Sequence, residues 1–401
     1  MTDTTDDSSG TDRPTTGTGT AGAGDPAAAR LRRLTAWRAA SRTLARTPVE
    51  PRIGDLLTDL ATHASTVYDL DDWTDLYGDG VVEELERRTA ALLGTEAAAF
   101  FPTGTMAQQV ALRCWAARTG NPVVALHPQS HPEQHERGAF SAVSGLRTVH
   151  PTTEPRMPTA DEIRDFEEPF GALMLELPLR EPGFVLPDWE GLTATVAAAR
   201  ERDAVVHFDG ARLWECTPHF GRSLAEIAGL ADSVYVSFYK SLGGMSGAAL
   251  AGPRTLIEEA KTWRHRYGGQ LFHQYPAALS ALLGLARELP RLPEYVAHAK
   301  VVAQALGEGF GAAKVPWFRV HPEVPHTHQF QVWLPYDAEV LTEAGVRQSE
   351  ETGTTLFHRW HPAPQGPVGL AVTEVTVASE GLEWSAADVR SAVAEFTGRL
   401  G

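Results

Sequence analysis

The sequence predicts an α/β protein, with a large domain built on a mainly parallel sheet and a smaller α+β domain after it. Three observations carry this. Apolar runs of strand length recur from about residue 80: "AAAFF", "PVVAL", "GALMLEL", "DAVVHFD", "DSVYVSF" and "GAALAG". Helical segments such as "DWEGLTATVAAARER" and "SLAEIAGLA" lie between several of them, and strands alternating with helices imply a parallel sheet covered on both faces. After about residue 285 the texture changes to a long helical segment followed by strand-like runs.

The elements follow in order. The first 26 residues are mostly Thr, Gly, Ser, Ala and Asp, which bury too little apolar surface to offset chain entropy, so a disordered tail is expected. Residues 27–76 form an N-terminal helical segment. Its Arg-rich start, "AAARLRRLTAWRAASRTLAR", places Leu31, Leu34, Trp37 and Leu44 near one helical face, as in a peripheral helix packed on the protein body or on a partner subunit. The large domain is expected over 77–285. In it "VEELERRTAALLG" reads as a helix ending at Gly94, and "MAQQVALRCWAA" as a helix with Met106, Val110 and Cys114 on one face. The small domain takes 286–401. There "LPEYVAHAKVVAQALGEGF" is helical and "HQFQVWLP" alternates like a half-exposed strand. "TTLFHRW" and "VGLAVTEVTV" read as further strands, and "SAADVRSAVAEFTGRL" as a closing helix with Ser385 as N-cap.

Composition narrows the function. A chain of 401 residues exceeds one typical core, and its net charge of -16 argues against nucleic acid or an anionic membrane as main partner. No run approaches the roughly 20 apolar residues of a membrane span. Two cysteines, Cys114 and Cys216, make no disulfide framework and fit a reducing compartment; with no apolar signal core at the N-terminus, a cytoplasmic location is expected.

Chemistry concentrates at strand ends. "HFDGARLW" and "SVYVSFYKSLGG" each carry a charged residue, Asp209 and Lys240, at the downstream end of an apolar run. Ligands of open α/β sheets bind beyond those ends, and a right-handed crossover over the intervening segment brings the two residues to one edge. Alone, each is more simply a structural ion or a solvated loop residue. Together they meet a specific need: pyridoxal phosphate chemistry uses a lysine to form a Schiff base and a carboxylate to keep the pyridine nitrogen protonated. A phosphate site is available in "FFPTGTMAQQ", where Thr103, Gly104 and Thr105 lie between a strand and a helix start. "HPQSHPEQHE" supplies His127, His131 and His135. Their spacing resembles metal ligands on a helix, but Pro128 and Pro132 oppose a continuous helix, so no metal is assigned and His131 is taken as a ring over the cofactor. Ser237-x-x-Lys240 also matches a motif of penicillin-recognising serine enzymes, whose Ser-Asp-Asn and Lys-Thr-Gly companions are absent; Ser237 or Ser241 fits a phosphate contact better.

With these motifs in hand, the stretch from Tyr77 to Leu285 resembles the threonine aldolase and β-eliminating lyase family, with an aspartate-aminotransferase-like fold type I. "YGDGVVEELERRTAALLGTEAAAFFPTGTMAQQVAL" is similar to the family's opening, "SHPEQHERGAFSAVSG" to its stacking-histidine segment, "HFDGARLW" to its Asp-Gly-Ala-Arg motif and "SVYVSFYKSLGGMSGAALAG" to its Schiff-base segment. The resemblance implies that Lys240 binds pyridoxal phosphate and that Asp209 holds its ring nitrogen. It implies that Arg212 binds the substrate carboxylate, with Tyr77 at the substrate. It also implies a homodimer or homotetramer with shared active sites. The departures concern substrate: Glu176-Leu177-Pro178-Leu179 stands where the family carries Glu-Asn-Thr-His, Leu370 where a second carboxylate-binding arginine is expected, and Phe272-His273 where Met-Arg is usual. Arg180 and Arg359 are candidate replacements. The expected reaction is retro-aldol cleavage of a β-hydroxy amino acid to glycine and an aldehyde. The alternatives are β-elimination, transamination or decarboxylation of a larger amino acid, or a catalytically idle cofactor-binding or scaffolding subunit, against which Lys240 argues.

Overall fold

The computed structural model describes residues 25–46, 51–363, 366 and 368–400; all but the last two residues of the expected disordered tail lie outside them. The chain divides into two units, one over Ile53–Pro293 and the other formed by the residues before Ile53 together with those from Glu294 onward.

The larger unit holds a seven-stranded sheet: β1 (Ala97–Phe101), β2 (Val123–Ala125), β3 (Arg147–Val149), β4 (Ala172–Glu176), β5 (Val205–Gly210), β6 (Ser233–Ser237) and β7 (Ala248–Gly252). Its order is β1-β7-β6-β5-β4-β2-β3, and β7 alone runs against the rest. Strands buried on both faces read as continuous apolar runs, which is why all six quoted segments fold as strands. Helices α1 (Val81–Leu93), α2 (Gly104–Thr119), α3 (Trp189–Arg200), α4 (Arg254–Arg266) and α5 (Tyr275–Arg287) connect or cover them. Gly94 ends α1 in the left-handed conformation, as expected. The crossover from β5 to β6 is a 3-10 turn and two short helices, Thr217–Phe220 and Leu224–Ala228, because Pro218 and the left-handed Gly221 interrupt it.

The smaller unit has a four-stranded antiparallel sheet of β8 (Arg319–His321), β9 (Gln329–Leu334), β10 (His361–Pro362) and β11 (Ala371–Thr376), in the order β10-β11-β9-β8. Helices α6 (Leu292–Ala312), α7 (Ala338–Thr352) and α8 (Ala386–Thr397) accompany it, and α8 starts in a capping box of Ser385 and Asp388. The expected half-exposed strand is buried on both faces except for Trp333. Its glutamines bond inside, Gln329 to the Thr376 hydroxyl at 3.0 Å and Gln331 to the Trp333 indole at 3.1 Å, so alternation here does not report exposure. Of "TTLFHRW" only Thr354–Thr355 is a strand, pairing with Arg42–Thr43.

That pairing also divides the expected 27–76 segment. Residues up to Arg46 pack with the smaller unit, where Arg32 of the helix Pro26–Ala39 reaches Glu343 at 2.9 Å and Glu350 at 2.7 Å. The helix ends at Ala39, so Leu44 lies beyond it, and Leu31 is exposed. Ile53–His63 forms a helix of the larger unit.

Candidate active site

Sheet register assembles the site. Glu176 of β4 pairs with Asp209 of β5, which pairs with Tyr235 of β6, so three polar side chains lie in a row on one sheet face. All three are buried. The Tyr235 phenol reaches the start of α2: a Cβ placed on Gly104 would lie 2.1 Å from its oxygen. The row thus ties Asp209 to the expected phosphate turn. Thr103 caps α2, its hydroxyl accepting from the Met106 amide at 3.2 Å, and leaves the first amides of a 16-residue helix for an anion. Ser237 ends β6, its hydroxyl buried without a well-formed hydrogen bond and with the Tyr239 phenol as polar neighbour. Ser241 is not available in this way, since its hydroxyl donates to the buried Glu215 carboxylate.

Lys240 lies three residues past β6. Burial first, and then the Arg212 guanidinium, lower its amine to about 8, against the attraction of Asp209 and Glu176. Burial raises Asp209, while Lys240 and His131 hold it back. Burial, then the Asp209 charge, pushes Glu176 up to about 8. Arg212 stands over the Phe184 ring at 5.3 Å, and its buried Nε has no hydrogen-bond partner. An amine, two carboxylates and a guanidinium thus influence one another at one sheet edge, as a site for a charged amino acid requires.

Glu176 is the organiser that sequence reading noticed without giving it a role. One of its oxygens accepts from the His131 amide at 2.7 Å and the other from the Arg180 amide at 3.3 Å. It therefore pins two loops beside Asp209. His131 opens a one-turn helix, His131–His135, with Pro132 in its first turn. His127 is not part of this group: it is buried, with Nε2 bonded to the Glu154 carbonyl at 2.7 Å, and burial lowers its pKa. Among the described residues no group of three His, Cys, Asp or Glu could hold a metal. Tyr77 stands in another cluster, packed edge-on against Phe272 at 5.4 Å with its carbonyl accepting from Gln270. Arg359 belongs to the smaller unit, where its carbonyl accepts from Thr373.

Comparisons with known proteins show the family of the chain. A profile described as β-eliminating lyase matches residues 68–352. This chain belongs to the β-eliminating lyase family. The low specificity L-threonine aldolase of Escherichia coli K12 is 33% identical over 241 residues, covering 58% of this chain and 72% of that protein. The low-specificity L-threonine aldolase 1 of Arabidopsis thaliana is 27% identical over 316 residues, covering 75% and 84%. A crystal structure from Listeria monocytogenes, of a protein assigned as an L-allo-threonine aldolase, superposes with a TM-score of 0.81 at 34% identity, covering 91% of this chain and 99% of that one. The architecture of this family member is that of fold-type-I enzymes, as expected.

Proposed function

We propose that this protein is a pyridoxal-phosphate lyase that cleaves a β-hydroxy amino acid between Cα and Cβ, giving glycine and an aldehyde. The observation that carries the reading is the row Glu176–Asp209–Tyr235, with Gly104 against one end and Lys240 within electrostatic reach. The residues present fit the cofactor. Lys240 offers a buried amine that is partly uncharged near neutral pH. Asp209 offers a carboxylate to a protonated ring nitrogen. The Thr103-Gly104-Thr105 turn and the poorly satisfied Ser237 hydroxyl suit a phosphate. When bound, the cofactor supplies an electron sink for the pair released at the substrate α-carbon.

The remaining groups orient the substrate. Arg212, with an unsatisfied Nε, binds the carboxylate in a charge-assisted contact worth roughly 1.5–3 kcal/mol, and Arg180 adds positive charge beside Lys240. His131, held by its amide to Glu176 beside Asp209, would stack on the face of the cofactor ring. Tyr77 serves a site shared between copies of the chain: Trp73, Leu76, Tyr77 and Phe272 are all exposed, an apolar strip suited to a homodimer or homotetramer.

The test begins with purified protein. A bound cofactor gives an absorbance band near the visible edge that Lys240→Ala abolishes. Incubation with L-threonine and L-allo-threonine then yields glycine. A protein that holds the cofactor and forms no glycine from any β-hydroxy amino acid sinks the retro-aldol reading. Keto acid or ammonia release would move the reaction to transamination or elimination, on a side chain suited to the buried Leu177, Leu179 and Phe184.

A further inference from the structure

Phe184, the ring that Arg212 stands over, has an unusual backbone. Its φ is +58°, in the left-handed region. Glycine takes that region freely, but a bulky aromatic residue there is an outlier that persists only where its surroundings hold it. They do so here. Gly183 and Phe184 both donate their amides to the Arg180 carbonyl, at 2.8 and 3.1 Å. Leu179 and Val185 exchange two backbone hydrogen bonds of 3.0 Å across the same turn. The turn is keyed to the end of β4 through the Arg180 amide, which donates to Glu176 at 3.3 Å. The Phe184 side chain is fully buried, with the Arg212 guanidinium 5.3 Å from its ring. Backbone strain of this kind collects at ligand clamps.

The contact suits a carboxylate receptor. A guanidinium over an aromatic face is attracted by the ring and keeps its in-plane N–H donors for another partner. A protein carboxylate in the ring's place would occupy those donors and compete with a bound substrate. The carboxylates at the strand ends are engaged with backbone amides instead, Asp209 with that of Ala211 at 3.1 Å and Glu176 with those of His131 and Arg180. The buried Arg212 Nε has no partner. The guanidinium is also close enough to the Lys240 amine to disfavour its charge, which sets it beside the residue proposed to hold the cofactor.

We propose that Phe184 is the positioning residue for Arg212, its ring setting the plane in which the guanidinium meets the substrate carboxylate. The inference rests on the reading of Arg212 as the carboxylate receptor. Phe184 acts through Arg212 and not on the reacting atoms, and its left-handed backbone is what turns the ring under the guanidinium.

The experiment titrates the visible absorbance of the holoenzyme with two amines. Glycine carries the carboxylate, and ethanolamine has an alcohol in its place. Phe184→Leu removes the ring and keeps an apolar side chain. It is expected to raise the Kd for glycine about 5–30-fold, the strength of a cation–π contact in a partly to fully desolvated site, and to leave the Kd for ethanolamine at the wild-type value. A general loosening of the site would weaken both ligands. Equal weakening of the two, or an unchanged Kd for glycine, overturns the proposal. If Phe184→Leu fails to fold, Phe184→Met carries the same comparison, since an unbranched side chain fills irregular gaps.

A double-mutant comparison tests the route of the effect. Arg212→Gln weakens glycine binding by itself. Adding Phe184→Leu to it is expected to change the Kd by less than about twofold, because the contact has already gone. Two effects that multiply in full overturn the positioning role. A wild-type protein that binds glycine but cleaves no β-hydroxy amino acid rejects the retro-aldol reading, and the glycine comparison still decides the role of Phe184.

Discussion

Lys240 shows how burial prepares a residue for its task. Its amine sits near 8 rather than 10.5 because desolvation and Arg212 penalise its charged form more than Asp209 and Glu176 favour it. Only the uncharged amine attacks an aldehyde. The rate at which cofactor-free protein captures pyridoxal phosphate is therefore expected to rise through about pH 8 and to level off above it. Stopped-flow absorbance at a series of pH values reads this, and a rise centred near 10 would contradict it. Arg212→Gln removes the largest opposing charge and is expected to move the rise to higher pH. Asp209 and Lys240 were legible in the sequence because each is a charge at the end of an apolar run. Glu176 ends its run in the same way, but only register shows that it stands next to Asp209. Tyr235 lies in the middle of a strand and carried no signal at all.

At the scale of elements, the site depends on how closely α2 approaches β6. Gly104 is buried, and a Cβ built on it would lie 2.1 Å from the oxygen of the buried Tyr235 side chain. Gly104→Ala places a methyl group inside the phenol and is expected to cost about 1–3 kcal/mol, the usual penalty for overpacking. The shift falls on the turn proposed to take the phosphate, so cofactor affinity is expected to fall with stability. Thermal melts with and without pyridoxal phosphate measure both, and an unchanged pair of melting temperatures would show that the turn yields freely. The strands were legible because both of their faces are buried, and the helix ends because Gly94, Thr103 and Ser385 are chemically suited to them. The broken β5–β6 crossover was less so: "SLAEIAGLA" has helical composition, but its helix stops at Ala228 after five residues. The strand "HQFQVWLP" misled for a related reason, since a glutamine that finds partners can be buried.

Across the whole molecule, each unit carries a buried histidine held neutral. His207 has both ring nitrogens engaged, Nδ1 with Ser233 at 2.8 Å and Nε2 with Gln108 at 2.7 Å, and burial lowers it to about 3. His358 of the smaller unit is likewise lowered to about 3 by burial. An unfolded histidine takes up its proton near 6.5, so between 6.5 and about 3 the unfolded chain holds more protons than the folded one. Stability contributed by these groups is full above 6.5 and is lost as pH falls through that window. The urea midpoint is expected to drop as pH is lowered from about 7 to about 5, and His207→Gln to make the drop shallower. A midpoint that stays level over this range would refute the linkage. The smaller unit also rests on an aromatic cluster in which Phe357 meets Trp360 at 5.1 Å and Phe396 at 5.3 Å. Phe396 comes from the closing helix, far in the chain from Phe357 and Trp360, and its meeting with them was not legible there.

The sequence by itself determined the strand content of the large unit, the helix caps, and the pairing of an amine with a carboxylate at strand ends. Each is a local property, written in the period of apolar residues and in residues with one chemical use. Only the tertiary structure decided which neighbours those groups have. Parallel register set Glu176 and Tyr235 on either side of Asp209. Loop packing brought His135 to Glu181 across 46 residues. Such contacts join positions distant in the chain, and their strength comes from burial, which a linear string of residues does not record.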